Sequence, residues 1–252
     1  TDQLMFYLRP GQVSNEPDNV SDDMHVGDWP ELYAELAQKS SSQLLRKFYA
    51  AGLPAADTPI CDVPLLAMDF ETTGMDPEKG DIVSIGLVPM KMERIYNSQA
   101  CHWVVRPRAH LPGDSVVIHG ITHSDVAQSP DLNRYLQPLL ERMAGHVVVA
   151  HYRKMERGFL HRALLRRLGE GITFPVIDTM ALEADITRLT FWQKLSGYQR
   201  RSLRLADTRR RYGLPFYHPH HALTDALACA ELLQAQLITH YGAKTPVGKL
   251  WL

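Results

Sequence analysis

Leu65-Leu66-Ala67-Met68-Asp69-Phe70-Glu71-Thr72-Thr73-Gly74 is an apolar run that ends in two carboxylates spaced i, i+2. In a β-strand successive side chains alternate faces, so Asp69 and Glu71 point the same way and Phe70 points to the other side. Two adjacent anions on one face of a core strand repel each other and resist desolvation. A divalent metal ion with oxygen ligands is the economical compensation.

More carboxylates should then converge on the same ion, and two stand in unusual places. Val147-Val148-Val149-Ala150-His151 reads as a buried strand, and a helix is expected over about 153–168. Its apolar stripe is Phe159, Leu160, Ala163 and Leu164; Glu156 lies on that inward stripe, where a carboxylate is out of place. The last helix, expected over about 222–237, repeats the anomaly: Asp225 shares a face with Ala222, Ala228, Cys229, Leu232 and Leu233. His220 precedes it at the helix entrance, and a histidine beside clustered acids can deprotonate a water.

These residues together resemble the DnaQ-like DEDDh 3′–5′ exonucleases, whose site carries four acids and a histidine. Asp69-Phe70-Glu71-Thr72-Thr73-Gly74 is similar to the first motif of that family, Ala150-His151-Tyr152-Arg153-Lys154-Met155-Glu156-Arg157-Gly158-Phe159 to the second, and His220-His221-Ala222-Leu223-Thr224-Asp225 to the third. Ile118-His119-Gly120-Ile121-Thr122 and Ile177-Asp178-Thr179 are supporting matches in order, and the resemblance covers residues 64–241. The second motif departs from the family: Glu156 stands for the usual Asp, Tyr152 for Asn and Met155 for Phe. Glu keeps the charge but extends the carboxylate by about 1.5 Å, and metal catalysis tolerates little misplacement.

The resemblance implies two-metal phosphodiester hydrolysis. Asp69, Glu71, Glu156 and Asp225 would hold two Mg²⁺ or Mn²⁺ ions about 4 Å apart, with His220 removing a proton from water. Products would be nucleoside 5′-monophosphates released from a 3′ end. Thr72, Thr73, Gly74 and Met155 are the implied substrate contacts; His119 either places the terminal nucleotide or is a turn residue. His151 and Asp178 are expected to be structural.

Each residue also has a plainer reading. A lone Asp69 would be an ordinary loop or capping residue, and Glu156 a first-turn acid favoured by the helix dipole. His218-Pro219-His220-His221 alone would suit a transition-metal site or a solvated loop. Only the spacing to Asp225 selects His220. Two basic groups, Arg200, Arg201, Arg204, Arg209, Arg210 and Arg211, and Arg153, Lys154, Arg157, Arg162, Arg166 and Arg167, suit a phosphate backbone or ordinary solvated helix faces.

The 252 residues, 45% hydrophobic, allow one sizeable core and an appendage. No apolar run approaches the roughly 20 residues of a membrane span, and no secretory signal is evident. Three scattered cysteines, Cys61, Cys101 and Cys229, suit a reducing cytoplasm, and no Cys/His quartet has the spacing of a structural zinc site. The first residue is Thr, which leaves the true start open, and a net charge of −1 decides nothing about nucleic acid.

The expected organisation is an N-terminal extension (1–60), an exonuclease domain (61–245) and a tail (246–252). The extension should be acidic and loosely ordered over 12–28 and then form one helix over about 30–51. Its stripe of Leu32, Leu36, Leu44, Leu45, Phe48 and Tyr49 needs the catalytic domain or a second subunit to cover it, so a homodimer is one expectation. Residues 53–64, rich in proline, read as a linker. Strands over 65–71, 81–89 and 99–106 should form an antiparallel meander, followed by a helix over 129–144 and strands at 147–150 and 176–178. The resulting fold class is α/β: a ribonuclease-H-like mixed β-sheet flanked by α-helices, with a helical N-terminal extension.

Three functions are open at this point: an exonuclease on 3′ ends of single-stranded DNA, an RNA-directed relative similar to oligoribonuclease or ribonuclease T, and a nucleic-acid-binding module weakened in catalysis by Glu156. The sugar preference depends on pocket contacts that sequence does not place. Association with a polymerase is likewise open, since no clamp-binding segment is evident after the last helix.

Overall fold

The computed structural model describes residues 28–108, 123–188 and 201–252. His119 and Arg200 lie outside the described residues, as does nearly all of the acidic beginning. Strand β1 (Leu65–Thr72) is central. β2 (Ile82–Lys91) pairs with it antiparallel, with Asp69 opposite Gly86 and Glu71 opposite Ser84. The short β3 (Arg94–Ile95) and β4 (Cys101–Val104) both pair antiparallel with β2. On the other side β5 (Val147–Ala150) runs parallel to β1, and β6 (Val176–Asp178) parallel to β5. The expected meander and mixed sheet are present. The connection read over 91–98 folds back as the β2–β3 hairpin, and the third main strand is shorter than expected because pairing with β2 begins only at Cys101.

The alternation of β1 sorts its side chains between two cores. Leu66, Met68 and Phe70 join one cluster with α1 (Trp29–Lys39), α2 (Gln43–Ala50), α4 (Asn133–Met143) and α5 (Lys154–Leu168); α3 is the short helix His123–Gln128. Leu65 and Ala67 join the other, with Leu182 of α6 (Thr179–Ile186) and the inner face of α8 (Ala222–Gln236); α7 is Leu205–Arg211. Asp69 and Glu71 continue the α8-facing row, as period two requires.

The single helix expected over 30–51 is two helices. Ser40, Ser41 and Ser42 interrupt it, since serine offers the backbone local alternatives to helical bonds. One Glu170 carboxylate oxygen accepts bonds from Ser41 N–H (2.8 Å), Ser41 Oγ–H (2.7 Å) and Ser42 N–H (2.9 Å), an anion at the start of α2 where the helix dipole favours it. The apolar stripe finds its cover within the chain: Leu45, Phe48 and Tyr49 are buried against the main core, and Tyr49 Oη accepts from Thr173 N–H at 3.0 Å. The stripe therefore gives no reason to expect a homodimer.

Residues 53–64 are packed, contrary to a linker. Ile60 and Val63 are fully buried, and Ile60 N–H bonds Thr245 O at 2.8 Å. Residues 246–252 fold back onto the same core. Val247 and Leu250 are buried, Leu252 exchanges main-chain bonds with Val176 at the start of β6, and Arg157 Nη2 donates to Leu252 O at 2.6 Å. No helix among the described residues is long and apolar enough to cross a membrane.

Candidate active site

Asp69, Glu71 and Asp225 converge: their ligand oxygens lie within 4.8 Å of one another, and they are the metal-type cluster among the described residues. A glycine makes this possible. Gly86 is the strand partner of Asp69, and a Cβ there would stand 2.2 Å from Ala222 O and 2.5 Å from Leu223 N. Without that side chain the first turn of α8 lies directly on the sheet, which brings Asp225, three residues after Ala222, to the carboxylates of β1. Gly86 is a site-forming residue that sequence reasoning missed; its only signal was a glycine inside an apolar strand.

Charge and burial shape the cluster's protonation. Burial, then repulsion by Glu71, Asp225 and Glu156, pushes the Asp69 carboxyl well above the ordinary range. Asp225 is pushed up to about 6, by burial first and by Glu71, against hydrogen bonds from the His220 and His221 main chain that hold it lower. Carboxylates held this close, with Asp69 and Asp225 raised in proton affinity, are the donor set that a hard divalent cation relieves.

Glu156 stands outside that trio. It enters from α5, on the opposite layer from α8, near the end of the sheet where β1 continues beyond its pairing with β5, which covers only Leu65–Ala67. Burial, Asp178 and Glu71 raise its carboxyl well above the ordinary range, while its own amide and the Phe70 main chain hydrogen-bond it and hold it lower. Its Oε2 is buried without a hydrogen-bond partner, an orphaned acceptor that a cation would satisfy. Its carboxylate is bonded to the main chain of Phe70, between the two β1 acids.

Asp178 has a structural role, as expected. Its carboxylate accepts from Met180 and Ala181 N–H, capping α6, and from Tyr152 N–H (3.1 Å) and Arg153 N–H (3.0 Å). It thereby fixes the turn between β5 and α5 that delivers Glu156. Tyr152 in that turn has φ 84°, a left-handed conformation costly for a bulky side chain and tolerated better by the Asn that the family motif carries. His151 is also held on both ring nitrogens, by Thr179 Oγ1 (2.8 Å) and Leu203 O (2.9 Å).

His220 sits at φ 73°, and its N–H donates to Asp225 Oδ2 at 2.7 Å. The third motif's acid thus fixes the main chain of its histidine. His221 is the α8 N-cap, accepting from Thr224 N–H, and its ring lies 4.4 Å from that of His102 on β4. His102, missed in the sequence, is opposite Gly86 and so in the same cross-strand row as Asp69. His218 is exposed and meets Phe216 edge-on.

The implied substrate contacts are placed as follows. Thr72 and Thr73 are buried. Thr72 Oγ1 donates to Gly74 O at 2.6 Å, and Thr73 Oγ1 accepts from Asp81 N–H at 2.9 Å, so both shape the loop after β1. Gly74 is exposed, and Met155 packs against the main core. The basic groups need correction as phosphate-steering patches. Arg209 pairs with Glu231 and Arg211 with Glu183; Arg153, Arg162 and Arg167 face Asp178, Glu78 and Asp81, and Arg157 is buried on main-chain oxygens. Arg201, Arg204 and Arg210 are exposed.

Comparison with known proteins gives consistent results. A family model described as RNase_T, exonuclease, matches residues 66–233. The chain is 29% identical over 177 residues to the PolC-type DNA polymerase III of Thermotoga maritima, covering 70% of this chain and 12% of that protein. It is 30% identical over 196 residues to a DNA polymerase III subunit epsilon-like protein of Rhodobacter capsulatus, covering 75% and 27%. The Treponema pallidum DNA polymerase III subunit epsilon is 26% identical over 178 residues, covering 71% and 78%. The chain thus spans only a small part of the first two relatives. Among solved structures, the nuclease domain of 3′hExo, a DEDDh family member bound to rAMP, superposes with TM-score 0.58 at 16% identity, covering 72% of this chain and 94% of that one. Exonuclease X in complex with 5′ overhanging duplex DNA gives 0.55 at 22% identity, covering 73% and 97%. These likenesses establish the ribonuclease-H-like fold.

Proposed function

The chain belongs to the RNase T, DnaQ-like family of exonucleases, and from that membership we propose that it removes nucleotides one at a time from the 3′ end of single-stranded DNA. The observation that carries this reading is the convergence of Asp69, Glu71 and Asp225 within 4.8 Å, with Asp225 bonded to the main chain of His220. Asp69, Glu71 and Asp225 would hold divalent cations, Mg²⁺ or Mn²⁺, with the buried Glu156 Oε2 facing a second ion. Such ions, when bound, lower the pKa of water and stabilise charge on the leaving oxygen.

The chain's own residues supply the rest. His220 takes the proton of the attacking water, whose oxygen bonds to phosphorus. The bond from phosphorus to the 3′ oxygen breaks, that oxygen stays on the shortened strand and takes a proton from solvent, and the terminal nucleotide leaves as a nucleoside 5′-monophosphate. The left-handed backbone of His220 and the 2.7 Å bond from its N–H to Asp225 fix the main chain that carries this ring next to one of the acids. Solved relatives bound to DNA and to rAMP support a nucleic-acid substrate, and RNA is the alternative to DNA.

A time course on 5′-labelled DNA and RNA of one sequence, with Mg²⁺, Mn²⁺ or chelator, tests this. The expected result is a metal-dependent ladder shrinking from the 3′ end, faster on DNA. Asp69→Ala should abolish it, and His220→Ala should slow it about 100-fold or more. Intact folding with no cleavage of either polymer would reject the proposal.

A further inference from the structure

The loop over 213–221 carries His220 from α7 to α8, and most of it faces solvent: Gly213, Pro215, Phe216, His218 and Pro219 are exposed. A loop of this kind does not fix a side chain by its own packing. Underneath it lies a cation with almost no access to water. Arg209, near the end of α7, is 3% exposed. Its Nη1 donates to Ala228 O at 2.6 Å, on α8 one turn beyond Asp225; its Nη2 donates to Pro215 O at 2.9 Å and to Glu231 Oε2 at 2.7 Å. The guanidinium carbon lies 4.6 Å from the centroid of the Tyr217 ring, and Tyr217 Oη donates to Glu231 Oε1 at 2.9 Å. One planar fork thus ties α7, two points of the loop and two points of α8.

Burying a guanidinium is costly unless its donors are met, and apolar packing would join two helices equally well. What apolar packing cannot do is fix Pro215 O and the Tyr217 ring in direction as well as distance. We propose that Arg209, with Tyr217 and Glu231, is a positioning device that sets His220 against the Asp69, Glu71 and Asp225 cluster. Arg209 acts through the loop and touches no substrate. The proposal rests on the reading of His220 as the proton acceptor, and the two are separable by experiment.

The test is a double-mutant cycle on the whole chain with a 5′-labelled oligonucleotide, reading kcat, KM and Mn²⁺ affinity, with thermal unfolding as a check on folding. Misplacing a catalytic group by an ångström costs about 100-fold. Arg209→Gln should therefore lower kcat by about 30- to 100-fold while leaving KM and the Mn²⁺ dissociation constant within about twofold. Tyr217→Phe, which removes one hydroxyl and keeps the ring, should lower kcat by about threefold to tenfold. In a His220→Ala background neither substitution should reduce kcat further, because the group they position is gone.

Equal losses from Arg209→Gln with and without His220, or a kcat within twofold of the parent, would overturn the clamp while leaving the base intact. If Arg209→Gln fails to fold, the Tyr217→Phe cycle decides by the same criterion. Near-normal turnover of His220→Ala alone would instead overturn the reading of His220, and the clamp's role with it.

Discussion

Asp225 serves the cluster and the histidine at once, and its protonation follows from that double use. Its carboxyl is raised from 3.8 to about 6, mainly by burial. A raised carboxyl means that the folded chain binds the proton more tightly than the unfolded chain between those values. The stability from this group is therefore complete below about pH 4 and lost as pH rises through about 6. In chelator, Asp225→Asn should melt above the parent at pH 7.5, with the gap closing towards pH 4; calorimetry at several pH values reads it. A gap that is constant with pH would contradict the raised value. Saturating Mn²⁺ at pH 7.5 should reverse the order, since it stabilises only a chain that binds it. At Glu156 the expected effect of Glu156→Asp is a loss of rate, about tenfold, because the shorter side chain withdraws from the Phe70 main chain. A gain in a Mn²⁺ assay would mark Glu as a handicap. Asp69, Glu71 and Asp225 were legible in the sequence because strand and helix periods assign faces, and His220 because of its spacing to Asp225 in the motif it resembles. The roles of Arg157, Arg167, Arg209 and Arg211 were not, because their partners, among them Leu252, Asp81, Glu231 and Glu183, are distant in the chain.

At the scale of elements, the site is a crossing of β1 with the first turn of α8 over Gly86, and that contact has no slack. A Cβ at 2.2 Å from a main-chain oxygen cannot be absorbed by a rotamer change. Gly86→Ala should lift α8 from the sheet and separate Asp225 from Asp69. The expected outcome is a loss of cleavage of at least about 100-fold and weaker Mn²⁺ binding, measured by calorimetric titration on protein that remains folded. Retention of both would mean that Asp225 can move independently of the α8 entrance. Most strands and the α5 and α8 helices were readable, since each is long or strongly patterned. The break at Ser40–Ser42 was not, because Glu170, which holds it, comes from the far end of α5. β3 was missed for a similar reason: a strand of two residues exists only through its partner.

Across the whole molecule, the N-terminal helices belong to the same packed body as the site. Phe48 is 3% exposed and meets the rings of Tyr33 and Tyr49 at 5.5 and 5.0 Å. Phe48→Ala should lower stability by about 3–5 kcal/mol in urea unfolding, with kcat at 25 °C little changed, because the cavity opens far from the acids. A large fall in kcat with stability preserved would instead couple these helices to the site. The faces of β1, the antiparallel pairing of the first strands and the candidacy of Asp69, Glu71 and Asp225 were determined by sequence alone, because alternation along β1 and the helical stripe of α8 are local properties of side-chain spacing. Tertiary structure alone decided that Glu156 reaches the site from the opposite layer, that Gly86 lets α8 lie on the sheet, that Ile60, Val63, Val247 and Leu250 are core, and that most of the described arginines are held by acids or main-chain oxygens. Each of these depends on which distant groups meet when layers pack, and hydrogen-bond partners and excluded volume across layers are not encoded in any local period.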